Sequence, residues 1–228
     1  MDKTLVINNL TVNRGDKTVF GGLSIDLNPK QILKLVGPNG SGKSTLLKTI
    51  AGLIGPQSGS ITVNGQSLIG ETERISENIC YLGHKNALKK EFTVAQNIEF
   101  WAKLWDANDQ IITSINKMGI GYLQNTPVRY LSSGQTRRAA LARVLCHPAR
   151  IWLLDEPTVG LDDQGLKLLS QVMTNHLHKG GMIICATHVD LGLDAEDMKI
   201  ADLADFAVAT PTTMAAWHGL SFFSPFPC

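Results

Sequence analysis

The chain has 228 residues, of which 43% are hydrophobic and 18% charged. That is ample apolar material for a core, and less charge than the roughly 25% of an average domain. Lys and Arg total 21 against 20 for Asp and Glu, a net charge of +1, so no basic excess points to nucleic acid. The longest apolar runs, such as 151–154, fall far short of the ~20 residues that span a bilayer, which excludes a transmembrane chain.

The opening Met1-Asp2-Lys3-Thr4 lacks an export or transit pattern, so the chain is expected to stay in the compartment where it is made. Residues 4–9 alternate weakly, and 18–27 follow the turn signal Arg14-Gly15-Asp16; both predict strands. Residues 31–36 predict a short apolar strand that runs into a glycine-rich loop, with a helix over 45–51 behind it. A strand over 60–63 ends in Asn64-Gly65, the strongest two-residue hairpin signal. Another is predicted over 78–82.

The period then changes. Val94, Ile98, Trp101 and Trp105 fall on one helix face, and core packing of a helical insert explains the Trp pair better than a ligand platform. Ile111, Ile112, Ile115 and Met118 make a second helix, stopped by Gly119 and Gly121. The last third predicts a helix over 134–146, a strand over 151–154, a helix over 163–178 and a strand over 182–186. His176 and His178, near the end of the helix over 163–178, read as solvent-facing. Strands alternating with helices imply an α/β fold with a mainly parallel sheet. Cys80, Cys146, Cys185 and Cys228 form no C-x-x-C pair and read as reduced thiols. From Ala207 the tail is apolar, with Pro211, Pro225 and Pro227; packing on the domain, contact with a partner and lack of order are all open readings.

Gly37-Pro38-Asn39-Gly40-Ser41-Gly42-Lys43-Ser44 fits G-x-x-x-x-G-K-[ST] between a predicted strand and a predicted helix. Glycines let backbone amides approach phosphate oxygens, and the helix N-terminus adds partial positive charge. Lys43 is the candidate to neutralise the β- and γ-phosphates, and the Ser44 hydroxyl to ligate Mg²⁺. Far downstream, the apolar strand 151–154 ends in Asp155-Glu156. Carboxylates there need partners: Asp155 is the candidate to hold Mg²⁺, and Glu156 to polarise the attacking water as general base.

Leu131-Ser132-Ser133-Gly134-Gln135 lies before that acidic strand. With the phosphate loop and the acid pair, it makes the chain resemble the nucleotide-binding subunit of ABC transporters, from about residue 3 to about residue 205. The resemblance implies a P-loop NTPase (RecA-like) core with an antiparallel β subdomain, together about 1–84 and 131–206, and an α-helical subdomain of about 85–130. Residues 1–206 would form a single ATPase domain, with 207–228 as a tail. It further implies a head-to-tail homodimer. Each ATP would lie between one chain's phosphate loop, through Thr45, and the other chain's signature residues Ser132, Ser133, Gly134 and Gln135. Asp162 matches the family's loop linking the two sites, and His188 its switch histidine at the γ-phosphate. Ser133 replaces a usual glycine and crowds that loop with a side chain. His84 replaces a glutamine that helps ligate Mg²⁺ and reports nucleotide state; a sensing role is implied, while metal ligation and a plain loop histidine stay open. Arg14 stands where an aromatic usually stacks on adenine.

Gly83-His84, Arg14 and Lys179-Gly180-Gly181-Met182-Ile183 before Thr187-His188 are similar to ATPase subunits of the haem exporters of cytochrome c maturation. That likeness implies integral membrane subunits as partners. It also implies a peripheral place on the cytoplasmic face of the inner membrane, or the matrix face in a mitochondrion. A C-x-x-C-H haem motif is absent from the sequence. The rival readings are the ATPase of another small ABC transporter and a soluble ABC ATPase acting on nucleic acid or ribosomes. One phosphate loop, no heptads and no basic run argue against the last.

Overall fold

The computed structural model describes residues 4–193 and 198–208. Two sheets organise them. In the first, β1 (Leu5–Arg14) and β2 (Lys17–Leu27) form an antiparallel hairpin, and β4 (Ser58–Val63) and β5 (Gln66–Ser67) extend it in the order β2-β1-β4-β5. The β4–β5 turn has Asn64 at φ 53° and Gly65 at φ 76°, the paired left-handed residues of a type I′ turn that the Asn-Gly dipeptide announced.

The second sheet is parallel throughout, in the order β6-β7-β8-β3-β9. Its strands are β3 (Ile32–Val36), β6 (Ile79–Leu82), β7 (Ile151–Asp155), β8 (Met182–Ala186) and β9 (Met198–Asp202). Successive side chains in a strand point to opposite faces, and here both faces are covered. Ile151 and Leu153 of β7, with Met182 and Ile184 of β8, join a core shared with the antiparallel sheet and α1 (Lys43–Ile50). Trp152, Leu154, Ile183 and Cys185 join a second core. Helices α3 (Val94–Leu104), α4 (Ile111–Lys117), α5 (Ser133–Cys146) and α6 (Asp163–His178) build it. Burial on both sides is why β7 and β8 read as continuous apolar runs.

Some details differ from the sequence reading. A helix, α2 (Thr72–Asn78), precedes β6; Asn78 is buried on it, so it has no apolar stripe to betray it. The strand β9 was not expected. It lies at the sheet edge with its residues part-exposed or exposed and shows neither alternation nor an apolar run. His178 is exposed, but His176 is not solvent-facing. Its ring stacks on Trp152 at 3.7 Å and 14°, and its Nε2 lies 3.0 Å from the Arg150 carbonyl oxygen. Trp101 and Trp105, both half-buried, stack on each other; Trp105 packs on His147 and against the helical core, and Trp101 is not part of that core. Cys80, Cys146 and Cys185 are buried thiols; burial pushes Cys80 up to about 12. Cys228 and all of the tail beyond residue 208 lie outside the described residues.

Burial lowers both His147 and His176 to about 4. Their folded-state affinity for protons is below that of the unfolded chain, near 6.5. Their stabilising contribution is therefore complete above pH 6.5 and is lost as pH falls toward 4. Each group removes at most about 1.4 kcal/mol per pH unit across that window. Thermal melts between pH 7 and pH 4.5 are expected to show this slope, and His176→Phe, which keeps a ring against Trp152, should flatten it.

Candidate nucleotide site

β3 delivers the chain into the glycine-rich loop, and α1 starts where the loop ends. Gly42 at the boundary has φ 106°, and a Cβ there would lie 2.9 Å from Val19 and 3.0 Å from Phe20. Both conformation and space demand glycine. The first turn of α1 has neither a side-chain cap nor an acidic residue of its own, so its positive end is left to be met by groups from outside the helix. Lys43 is 8% exposed, and its Nζ donates to the carbonyls of Gly37 at 2.7 Å and Pro38 at 3.0 Å. The ammonium is thus held within the loop it would serve.

The end of β7 meets this loop from the side. Asp155 is 3% exposed, and its Oδ1 accepts a hydrogen bond from the Ser44 hydroxyl at 3.0 Å. Glu156, the next residue, has φ 50°, a left-handed backbone that costs a non-glycine residue on the order of 1 kcal/mol or more. Its amide donates to the Ala186 carbonyl at 2.8 Å. His188 Nε2 lies 3.8 Å from Glu156 Oε1. A buried Thr158–Thr187 hydroxyl pair at 2.9 Å ties the loop after Glu156 to the residue before His188.

The glycine-rich loop and the two acids border a cavity of about 490 Å³, which His188 does not line. Arg14, Lys17 and Val19 line one side, and Asn39, Gly40, Gly42, Lys43, Ser44 and Thr45 another, with Asp155 and Glu156 closing it. Gly37, Pro38 and Ser41 complete the loop without lining the cavity. The lining is cationic at Arg14, Lys17 and Lys43, with hard oxygen donors at Ser44 and Asp155. That donor set suits Mg²⁺, which is commonly bound through one or two side chains plus substrate phosphates.

Residues 132–135 do not line this cavity. Ser132 caps α5: its Oγ accepts from the Gln135 amide at 3.2 Å, and Gln135 Oε1 accepts from the Ser132 amide at 2.9 Å. Ser133 is exposed. Gly134 sits so close to the turn after β7 that a Cβ would lie 2.5 Å from the Gly160 carbonyl oxygen. Asp162 caps α6, accepting from the Gly165 amide at 2.8 Å and pairing with Arg138. These two bonds, the amide first, hold its carboxyl below the usual range. His84 is exposed just beyond β6 and does not line the cavity.

The sequence reading passed over Lys17 and Val19, the threonine pair and, above all, Arg137, which lies 4% exposed on α5. A signal did exist. From residue 137 on, α5 is buried at almost every position, and arginines on such a helix need internal partners.

A second cavity, about 480 Å³, lies among Trp105, His147, Trp152, His176 and Gly181. It abuts the N-terminal ends of β7 and β8, whereas ligands of open parallel sheets bind outside the carboxyl ends. The phosphate-type loop lies at those carboxyl ends.

The ABC transporter family model matches residues 20–159. The chain is 40% identical over 214 residues to the cytochrome c biogenesis ATP-binding export protein CcmA of Paramagnetospirillum magneticum, covering 91% of this chain and 97% of the relative. It is 43% identical over 192 residues to the protein of the same name from Gluconobacter oxydans, covering 84% of each. In fold it is similar to cbiO1 of Clostridium perfringens, part of the ABC transporter complex cbiONQ. The TM-score is 0.71 at 27% identity, over 83% of this chain and 80% of that one.

Proposed function

The chain belongs to the ABC transporter family, and on that footing we propose that it is the ATP-hydrolysing subunit of a haem-export complex of cytochrome c biogenesis. Its ATPase identity follows from the family, and the biogenesis role from relatives that share nearly their whole length with it. The observation that carries the chemistry is the convergence of Lys43, Ser44, Asp155 and Glu156 on one cavity. Among the described residues no helix is long and apolar enough to cross a membrane, so integral membrane subunits would supply that part. The chain would sit peripherally on the membrane's nucleotide-containing face.

Ser44 and Asp155 would hold Mg²⁺, which when bound neutralises charge on the triphosphate. Lys43 exchanges the Gly37 and Pro38 carbonyls for phosphate oxygens. Arg14 lies against the base, where a guanidinium can stack. Glu156 accepts a proton from the water that attacks the γ-phosphorus, and His188 orients that end of the reaction. The bond between the γ-phosphorus and the departing ADP oxygen breaks in line. Because residues 132–135 lie outside the cavity of their own chain, a second copy presents them to the γ-phosphate. Two ATP molecules then join two chains head to tail, and loss of the γ-phosphate contacts reopens them. Asp162 lies where the two sites communicate.

Affinity purification from membranes tests the assignment: integral membrane subunits should accompany the chain, and the isolated complex should contain haem. A complex with membrane subunits unrelated to cytochrome c assembly would transfer the protein to another small exporter. Within the complex, His84 serves coupling more than chemistry, being exposed and outside the cavity. His84→Ala is expected to keep ATP turnover within a few-fold and to lose holo-cytochrome c in a complementation assay. Normal cytochrome yield would remove His84 from the coupling path.

A further inference from the structure

Arg137 lies on the second turn of α5, five residues after the helix's capping serine. Its guanidinium is buried, and none of the ion pairs among the described residues includes it. All five of its N–H groups nevertheless find an oxygen. Nη2 donates to the carbonyls of Asp155 and Glu156, both at 2.8 Å, and Nε to that of Pro157 at 3.3 Å. Nη1 donates to the Gly83 carbonyl at 3.1 Å and to Asn86 Oδ1 at 2.7 Å. Desolvation lowers its pKa and the nearby carboxylates oppose that shift. Arginine remains charged in proteins, so the turn at 155–157 and the loop at 83–86 close around a fixed cation.

From this geometry we infer that Arg137 is a positioning residue. It locks together the helix that begins with Ser132, the turn that aims Glu156, and the loop that carries His84. This rests on the reading of Glu156 and His84 above and deepens it. The main-chain carbonyls of 155–157 converge on one planar donor, which explains how a strained φ of 50° at Glu156 is maintained. The remaining arm of the same plane holds Gly83 and Asn86. Movement of α5, whose cap faces the second chain's nucleotide, is thereby transmitted both to the attacking water's base and to the loop proposed to face the membrane subunits. The rigid fork is essential: a lysine keeps the charge but cannot reach two segments in one plane.

The test uses the complex purified with its membrane subunits, with wild type and Lys43→Ala as references. Arg137→Lys and Arg137→Gln are expected to lower kcat about 100-fold, the scale of a roughly 1 Å misplacement of a catalytic group. KM for ATP should stay within about twofold, because Arg137 does not line the cavity. Wild-type kcat in Arg137→Lys would overturn the inference. So would a parallel loss of kcat, ATP affinity and melting temperature, which marks a structural role alone. If these variants fail to fold, Asn86→Ala removes the shorter of the two contacts in the loop arm and leaves that to the Gly83 carbonyl and the whole 155–157 arm intact. It is expected to keep the basal ATPase rate of the isolated subunit and to lose stimulation by the membrane subunits; normal stimulation would overturn the inference. Failure of the underlying ATPase reading shows separately, as a wild-type complex without turnover or a Lys43→Ala complex with full turnover.

Discussion

Lys43→Ala is expected to lower ATP turnover by about 1000-fold or more while leaving the fold intact. Removing a single preorganised donor from a developing anion typically costs 10²–10³ in rate, and here the donor is also the cation nearest the loop amides. The two carbonyls it releases, Gly37 and Pro38, border the cavity loop and can turn to water. The apolar side of α1, Leu46, Leu47 and Ile50, stays fully packed. A melting temperature within a few degrees of wild type should therefore accompany the lost activity. Steady-state phosphate release and a thermal melt together check this, and unchanged turnover would refute the role of the loop.

Glu156→Gln separates binding from chemistry. The amide has nearly the shape of the acid and leaves every main-chain bond of the residue in place, from its N–H to Ala186 and from Arg137 to its carbonyl. What it removes is the proton acceptor, for which a loss of about 10²–10⁴ in turnover is the usual scale. Nucleotide affinity should persist, because Lys43, Ser44 and the loop are untouched. ATP should then accumulate between two copies. Size-exclusion chromatography with Mg·ATP is expected to shift the variant to twice the monomer mass, and wild type only transiently. A variant that elutes as monomer and hydrolyses at the wild-type rate would contradict both its assignment as base and the shared site.

Much of this was legible in the residues. The glycine-rich loop between β3 and α1 was legible because the phosphate binding proposed for it needs glycines at fixed spacing, followed at once by a lysine and a hydroxyl. The strand β7 was legible because a sheet covered on both faces needs an unbroken apolar run, and the acids ending it stood out against that run. What escaped was whatever lacked a local period. α2 buries too little to show a stripe, and β9 is held at an edge by main-chain pairing with β3 and not by side-chain alternation. His176 looked like a helix-end histidine because its partner, Trp152, is 24 residues away in sequence. Arg137 was hidden for a related reason: four of its five partners are backbone carbonyls, which any residue can supply.

The two-sided packing of β7 has a consequence for how the acids evolve. Inserting or deleting one residue upstream in the strand would throw Ile151 and Leu153 into the compartment built for Trp152 and Leu154, and the reverse. On the other face the indole would have to take the place of Ile151 or Leu153, which are fully buried there, so such a frameshift of the strand overpacks one core and leaves a void in the other. The order aspartate-then-glutamate is guarded in this way by side chains that never meet a nucleotide.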